Sequence, residues 1–169
     1  MIDTERLTLR PLRTDDKSDL LKVFGDKEVM KFSDDGLPQK PAWIAQWIKK
    51  ALANYDKTGH AVYVVIEKRS GEILGYCGLF DYDDIDGKPE VEVGYRLSKD
   101  SWGKGYATEA VSKLLEYAHS DLGLTRIIAM IDPQNIASQK VAEKADMKYE
   151  KDIMLEGYDH PDLLYVSNK

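Results

Sequence analysis

The fold is decided by residues 90–110, which read Glu90-Val-Glu-Val-Gly-Tyr-Arg-Leu-Ser-Lys-Asp-Ser-Trp-Gly-Lys-Gly-Tyr-Ala-Thr-Glu-Ala110. Apolar side chains alternate in the first half, as in a strand, and a turn containing Gly103 and Gly105 then opens into a helix-forming run. This order aims several backbone N–H groups at one point, with the positive end of the helix behind them. Because neither glycine carries a Cβ atom, a ligand can approach the backbone closely. The stretch therefore predicts a phosphate or pyrophosphate site.

The turn matches neither of two familiar phosphate motifs. No G-x-x-x-x-G-K-S/T frame fits it, and no third glycine arrives in the frame of the dinucleotide fingerprint. The run Trp102-Gly-Lys-Gly-Tyr-Ala-Thr-Glu-Ala110 instead resembles the acyl-CoA pyrophosphate loop of the GNAT superfamily of N-acetyltransferases, written Q/R-x-x-G-x-G/A. Gly105 and Ala107 fit its last two fixed positions. Trp102 replaces the usual Gln or Arg, as in the branch that resembles ribosomal-protein N-terminal acetyltransferases.

Composition indicates a single globular domain over residues 1–169. The chain is 43% hydrophobic and 32% charged, and its longest apolar runs are far below the ~18 residues that span a bilayer. The N-terminal residues lack an apolar signal region. The single Cys77 cannot form an internal disulfide, fits a reducing compartment and is predicted to be a small core residue. We therefore expect a cytoplasmic protein that is not bound to a membrane.

The net charge of −6 argues against nucleic acid as the main partner, since binding a polyanion depends on Lys and Arg. The same charge is compatible with a cationic acceptor such as an amine. An anionic CoA needs a local exception, which Arg96, Lys99 and Lys104 provide near the glycine turn. The alternative is that the lysines are only solvated surface, and charge alone does not decide between the two.

Hydrophobic periodicity predicts the element order β-α-α-β-β-β-α-β-α-β-β. The strands are predicted near 5–13, 61–66, 73–80, 90–98, 124–131, 149–155 and 163–166, and the helices near 15–26, from Pro41 to Gly59, from the glycine turn to Gly123, and from Asp132 to about 145. This order implies a mixed α/β sheet with helices on both faces. It is also the order of the GNAT superfamily, which implies a mostly antiparallel central sheet. The resemblance covers nearly the whole chain.

Local signals refine these boundaries. Thr14 is predicted to cap the first helix, and Asp86-Gly87 is predicted to form a tight turn. The acidic run before this turn, residues 81–87, is interpreted as a solvated hairpin end. A calcium loop is rejected because Tyr82 and Val93 would occupy its first and twelfth positions.

The resemblance implies a set of CoA-binding residues. The pyrophosphate would be held by the turn, mostly through backbone N–H groups of Trp102, Gly103, Lys104, Gly105, Tyr106, Ala107 and Thr108. The backbone N–H of Leu97 or Ser98 would bind the acyl carbonyl oxygen. Asn135 would bond the pantetheine arm, and Ser138 would lie near the thioester sulfur. The alternatives are a turn that merely starts a helix, an ordinary N-cap at Asn135 and a polar first-turn residue at Ser138; cap and ligand roles can coexist.

Glu92 is the candidate general base. Glu90 and Glu92 share one face of their strand, and Glu is frequent at the second position in the related branch. Glu92 would take the amine proton, through water. At pH 7 an α-amine is roughly one-tenth neutral, whereas a lysine amine is neutral in only about one molecule in 2,500, so the need for a base depends on the acceptor. The alternative is a solvated strand face.

Two positions depart from the pattern of the family. A tyrosine general acid is frequent where this chain has Ala142, so the acid role would pass to Ser138 or to water. A glycine is frequent where this chain has Asp146. Asp can adopt the left-handed helix cap that glycine would provide, at some cost.

The three histidines, His60, His119 and His160, are too scattered to form a metal motif, so no metal is expected. His160 can line an acceptor cleft, although a surface turn is the favoured interpretation.

The sequence therefore predicts an acetyl-CoA-dependent N-acetyltransferase in which a primary amine attacks the thioester directly. The acceptor would be a protein N-terminus or a small-molecule amine such as a polyamine or an aminoglycoside. A non-catalytic acyl-CoA sensor is the alternative from another class, and Ala142 favours it. A homodimer is compatible with the sequence, which does not fix the oligomeric state.

Overall fold

One eight-stranded sheet organises the computed structural model, which describes residues 1–33 and 35–169. The strands are Ile2–Asp3 (β1), Leu7–Pro11 (β2), Val62–Glu67 (β3), Ile73–Ile85 (β4), Lys88–Leu97 (β5), Arg126–Ile131 (β6), Lys148–Ile153 (β7) and Asp162–Asn168 (β8). Their spatial order is β1-β2-β3-β4-β5-β6-β8-β7. Every neighbouring pair is antiparallel except β5 and β6, which are parallel. The sheet is mixed and mostly antiparallel, as predicted.

Helices cover both faces of this sheet. They are Lys17–Phe24 (α1), Lys27–Met30 (α2), Pro41–Thr58 (α3), Tyr106–Ser120 (α4) and Ile136–Lys144 (α5). The apolar stripe of α4 is buried on one face, and it consists of Ala110, Val111, Leu114, Leu115 and Ala118. On the other face, Phe24 of α1 and Ile44 and Ile48 of α3 pack around Tyr76 of β4. Burying one such large side chain contributes about 1.5–3 kcal/mol, so the two layers fix the central strands between them.

Several predicted boundaries hold. Helix α3 begins at Pro41 and ends at Gly59, whose φ of 78° closes the helix. The tight turn after β4 contains Asp86 and Gly87, both with positive φ. Cys77 is fully buried in the core, and burial raises the pKa of its thiol to about 12.

Other boundaries are corrected. The first predicted strand, near 5–13, is β2, and the short strand β1, which pairs with it after the chain reverses through residues 4–6, was not predicted. Thr14 does not cap the first helix; the Asp16 carboxylate accepts the Arg13 N–H at 2.7 Å instead, and a 3-10 turn precedes α1. The short helix α2 was not predicted. Strand β4 continues past its predicted end at Phe80 to Ile85, and Asp81, Tyr82 and Ile85 pair with β5. The acidic run is the exposed end of this hairpin, as interpreted from the sequence.

The end of α5 matches the expectation for Asp146, which has a φ of 61°. The N–H of Met147 returns to the Ala142 carbonyl at 3.0 Å and closes the helix. Asp thus occupies a conformation that glycine would adopt at lower cost.

Candidate functional site

The sheet opens between β5 and β6. Only Glu92 and Ile128 are in register across this pair, whereas β4 and β5 pair over most of their length. The Ser98 N–H donates to the Leu74 carbonyl at 2.7 Å, toward β4. Because successive N–H groups of a strand point to opposite edges, the Leu97 N–H points toward the gap beside β6. Leu97 is therefore the possible donor to a ligand in the gap, and the expectation for Ser98 is corrected because its N–H is already bonded.

The glycine turn follows the end of β5. Gly103 has a φ of 73° and Gly105 has a φ of 82°. Residues other than glycine rarely adopt this backbone conformation. Gly105 is the N-cap of α4. In the part of the chain that the structure describes, none of the six N–H groups of residues 103–108 has an acceptor within the protein. A Cβ placed on Gly103 would meet no atom within 4 Å. The turn thus presents open space and unpaired donors, which suit an anion.

Arg6 braces this turn from the start of β2. Its Nη1 donates to the Lys104 carbonyl at 2.9 Å, and its Nε donates to Glu109 at 2.7 Å. The guanidinium also lies over the Tyr106 ring, 4.6 Å from the centroid. Arg6 therefore ties the turn to the first helical residues of α4. Sequence reasoning missed this residue because its partners lie about a hundred positions away.

Positive side chains surround the turn. Arg6, Lys68, Arg69 and Lys104 line an open depression of about 630 Å³, together with Glu5, Glu67 and Tyr106. Lys104 belongs to the positive group predicted from the sequence, whereas the other three cations come from β2 and from the β3–β4 turn. This depression adds long-range attraction for an anion to the short-range donors of the turn.

Trp102 fixes the turn to β5. Its indole Nε1 donates to the Leu97 carbonyl at 2.9 Å, and its side chain remains partly exposed. This hydrogen bond makes Trp102 a structural support of the turn. The supporting side chain is the one that stands where the family usually has Gln or Arg.

Glu92 lies at the point where β5 and β6 separate. Its Oε1 accepts the Met130 N–H at 3.0 Å, and its Oε2 accepts the Tyr82 hydroxyl at 3.1 Å. Burial raises the pKa of Glu92 to about 7, although these two hydrogen bonds and the charge of Arg96 act in the opposite direction. A carboxylate with this pKa can take a proton near neutral pH. The sequence identified the residue, but not the partners that orient it.

The opposite face of the gap carries Tyr95 and Ser138. Tyr95 lies three residues from Glu92 and so points to the other face of β5. Its hydroxyl lies 3.1 Å from the Ser138 Oγ on α5. Burial raises the pKa of the Tyr95 hydroxyl. The Asn135 side chain accepts the Ser138 N–H at 3.2 Å, so the predicted N-cap is present. Ala142 is buried, and Tyr95 supplies a hydroxyl group on this face that the sequence reading missed.

An acidic cluster lies where β6 ends and β8 begins. The His160 Nε2 lies 3.5 Å from Asp132, and its Nδ1 lies 3.9 Å from Asp162. The charge of Asp162 is one of the causes that raise the pKa of Glu92. His160 itself lies in a bend just before β8, and its partly exposed ring contacts this acidic cluster.

Residues 1–33 and 35–169 lack two features. No group of three or more His, Cys, Asp or Glu side chains is arranged to hold a metal ion. No helix in these ranges combines the length and the apolarity that crossing a membrane demands.

Residues 6–148 match the family model described as an acetyltransferase (GNAT) domain. An uncharacterized N-acetyltransferase of Bacillus licheniformis, p20, is 33% identical over 92% of this chain and 85% of its own length. The crystal structure of an acetyltransferase from Agrobacterium tumefaciens superposes with a TM-score of 0.83 at 27% identity, covering 99% of this chain and 94% of the other.

The fold also matches the microcin C7 self-immunity acetyltransferase MccE, solved with acetyl-CoA and AMP. The TM-score is 0.80 at 18% identity, and the match covers 98% of this chain and 94% of the other. At this identity the match concerns the fold alone.

Proposed function

The chain belongs to the GNAT acetyltransferase family and is an N-acetyltransferase, and we propose that it moves the acetyl group of acetyl-CoA to a primary amine by direct attack, with Glu92 as base. The observation that carries the proposal is the row of six N–H groups in residues 103–108 without protein acceptors. Because these groups lie at the helix N-terminus and beside four cationic side chains, they fit a pyrophosphate.

The donor is held along a path from the glycine turn into the gap. Residues 103–108 bind the pyrophosphate through their backbone, and Arg6 and Trp102 keep the turn in place through the bonds described above. The amide nitrogen of Asn135 remains for the pantetheine arm, since its oxygen is engaged by the helix cap. Acetyl-CoA supplies the activated acyl group, and the protein supplies position, charge and proton transfer.

The acceptor reaches the gap from the face of Glu92. The ionised carboxylate takes the proton that the attacking nitrogen loses, directly or through a water molecule. Its orientation is fixed because the Met130 N–H and the Tyr82 hydroxyl each hold one oxygen. With a pKa of about 7, Glu92 is ionised in about half of the molecules at neutral pH.

Leu97 and Ser138 serve the donor side of the same reaction. The Leu97 N–H, aimed at the gap, donates to the acyl oxygen as negative charge develops on it. As the new C–N bond forms and the C–S bond breaks, Ser138 gives its hydroxyl proton to the leaving sulfur. Tyr95, 3.1 Å from the Ser138 Oγ, returns a proton to Ser138. After the products leave, Tyr95 takes a proton from solvent and Glu92 releases the amine proton to solvent, so the route balances without a tyrosine at position 142.

Calorimetric titration with acetyl-CoA tests the donor site. Gly103→Glu would place a carboxylate in the open space before the turn, whereas Gly123→Glu is the matched control. The two glycines have φ values of 73° and 70° and equal open space, but Gly123 follows the far end of α4. We expect roughly micromolar binding by the parent and by Gly123→Glu, and none by Gly103→Glu. Equal binding by all three proteins would refute this location.

Release of free thiol from acetyl-CoA in the presence of primary amines tests the transfer itself. We expect release that depends on the amine, with the acetylated amine as product. Binding of acetyl-CoA without turnover for any amine would favour the non-catalytic acyl-CoA sensor instead.

A further inference from the structure

Asp162 differs from the other carboxylates around the gap. Its residue is only 8% exposed, and among the described residues no donor reaches its Oδ1. Burying a carboxylate oxygen without a hydrogen bond is costly, so such an atom in a folded protein calls for a partner outside the chain or for a functional reason. Burial and the charge of Asp132 both raise the pKa of Asp162.

Asp162 faces the side of the sheet from which Glu92 acts. Leu164 and Val166 of the same strand pack with Ile128 of β6 in one cluster, and alternate residues of a strand share a face. Asp132 extends the row of Ile128 and Met130 one step beyond the end of β6. Three carboxylates, those of Glu92, Asp132 and Asp162, therefore gather at the mouth of the gap.

The protein supplies little positive charge to Asp132 and Asp162. Within residues 1–33 and 35–169, His160 is the one basic side chain within 4.0 Å of Asp132 or Asp162. Its Nδ1–H donates to the Pro161 carbonyl at 3.3 Å and lies too far from Asp162 for a hydrogen bond. The ring also lies 3.8 Å from the exposed Asp159, so one imidazole faces three aspartates.

We propose that Asp162 and Asp132 bind a second, positively charged group of the acceptor, so that the substrates are amines that carry another ammonium group near the reacting nitrogen. This inference rests on the amine transfer proposed above. The two nitrogens of such a substrate meet opposite needs: one must be neutral to attack beside Glu92, and the other keeps its charge and its ammonium hydrogens for the aspartates.

Two acceptors of equal length separate this idea from general amine transfer. Diaminobutane carries a second ammonium group, and aminobutanol carries a hydroxyl group in its place. Two equivalent amines give diaminobutane a factor of two in rate by themselves. We expect kcat/KM for diaminobutane to exceed that for aminobutanol by about tenfold or more, as for a buried charge pair. A ratio of two or less would overturn the proposal.

Asp162→Asn is the informative variant, and Asp159→Asn is its matched control. Both replace one negative charge near His160, but the Asp159 side chain is 97% exposed. We expect Asp162→Asn to lower the ratio of kcat/KM for diaminobutane to kcat/KM for aminobutanol about tenfold, while Asp159→Asn keeps the ratio of the parent. Equal losses for both acceptors would make Asp162 a structural residue and refute the proposal. Asp132→Asn, which can keep its bond to the Gln134 N–H, serves as the second variant should Asp162→Asn fail to fold.

Calorimetry with diaminobutane alone separates failure of this inference from failure of the transfer reaction. Binding that Asp162→Asn weakens about tenfold supports the cation site even where no acetyl transfer occurs. Acetyl transfer without preference for the diamine leaves the transferase intact and refutes the cation site. Glycyl-lysine amide beside glycyl-alanine amide then distinguishes the sources: preference for the first peptide places the second charge on a polypeptide terminus, and preference for diaminobutane alone places it on a small polyamine.

Discussion

Two glutamates on β5, Glu90 and Glu92, lie two residues apart on one face of the sheet, yet cations surround the first carboxylate and neutral donors contact the second. Glu90 is 6% exposed, and its two oxygens lie 3.0 and 3.1 Å from the Arg126 Nε. Lys88 adds a second cation at 3.1 Å. Among the described residues no Lys or Arg nitrogen lies within 4.0 Å of Glu92, which receives one N–H and one O–H instead.

The difference follows from where β5 and β6 separate. Before Glu92, Arg126 joins the two strands and also reaches Glu150 of β7 through both terminal nitrogens, at 2.8 and 2.9 Å. Glu92 is in register with Ile128 of β6. The next free N–H of β6, that of Met130, donates to the Glu92 side chain rather than to the backbone of β5. Glu90 is therefore paired with cations as a structural element. Burial instead raises the pKa of Glu92 to about 7, where the carboxylate can exchange a proton near neutral pH.

The largest expected effect is on catalysis. Glu92→Gln keeps an acceptor for the Met130 N–H but cannot take a proton, so kcat should fall about 100- to 1,000-fold. Thiol release at saturating acetyl-CoA measures it. Acetyl-CoA affinity should remain within about threefold, since the turn is remote from this side chain. Glu90→Gln is the matched control, and its kcat should stay within about threefold of the parent value. Unchanged kcat in Glu92→Gln would leave catalysis to positioning alone.

A smaller effect, on stability rather than on rate, is expected at the other glutamate. Arg126→Met leaves the buried Glu90 without its main partner and should lower the free energy of unfolding by about 3 kcal/mol. Urea denaturation at pH 7.5 measures the change. At a temperature where the variant is folded, kcat should be close to that of the parent.

Lys88→Met is the control for this second prediction. Its side chain is half exposed, so removal of the ion pair with Glu90 should cost less than about 1 kcal/mol. Equal losses from Lys88→Met and Arg126→Met would show that burial does not distinguish the two cations. A large loss of kcat in folded Arg126→Met would contradict the separation of structural and catalytic roles along β5.

Much of the fold was predictable because its signals are local. The stripe of α4 and the glycine turn are written in contiguous residues, and so are the Pro41 and Gly59 ends of α3. The end of β4 was predicted too early, at Phe80, because the exposed acidic residues that follow carry no strand signal, although Asp81, Tyr82 and Ile85 pair with β5. Asp16 replaced Thr14 because a tertiary ion pair with Arg10 fixes its carboxylate.

The site was predictable only where it follows the chain. Glu92 and the turn belong to one stretch, and the sequence proposed both as candidates. Arg6 reaches Lys104 across 98 positions, and Tyr95 reaches Ser138 across 43, so no local pattern records either contact. Nothing in the sequence distinguishes Asp162 from other aspartates, because its distinguishing property is a buried carboxylate oxygen without a hydrogen-bond donor. Resemblance to the superfamily supplied the roles that spacing alone left open.

The pH dependence of the rate sharpens the comparison further. Because the pKa of Glu92 is about 7, its ionised fraction should rise from about one-tenth at pH 6 to nine-tenths at pH 8. The acceptor amine also loses its proton as pH rises, so the ratio of parent kcat/KM to that of Glu92→Gln isolates the carboxylate. We expect this ratio to rise about tenfold between these pH values. A flat ratio would contradict a proton-accepting role for Glu92, and Glu90→Gln should follow the parent at every pH.

The smallest effect is on the stability of the free protein. The pKa of Glu92 is raised by folding, so between the unfolded value near 4.5 and about 7 the folded state binds more protons than the unfolded chain. The parent therefore loses stability as pH rises through this window, whereas Glu92→Gln does not. Because the carboxylate is only partly buried, we expect the variant to gain about 1 kcal/mol at pH 8 and much less at pH 5. Urea denaturation at both pH values measures the gain. A variant less stable than the parent at pH 8 would mean that Glu92, like Glu90, is a structural carboxylate.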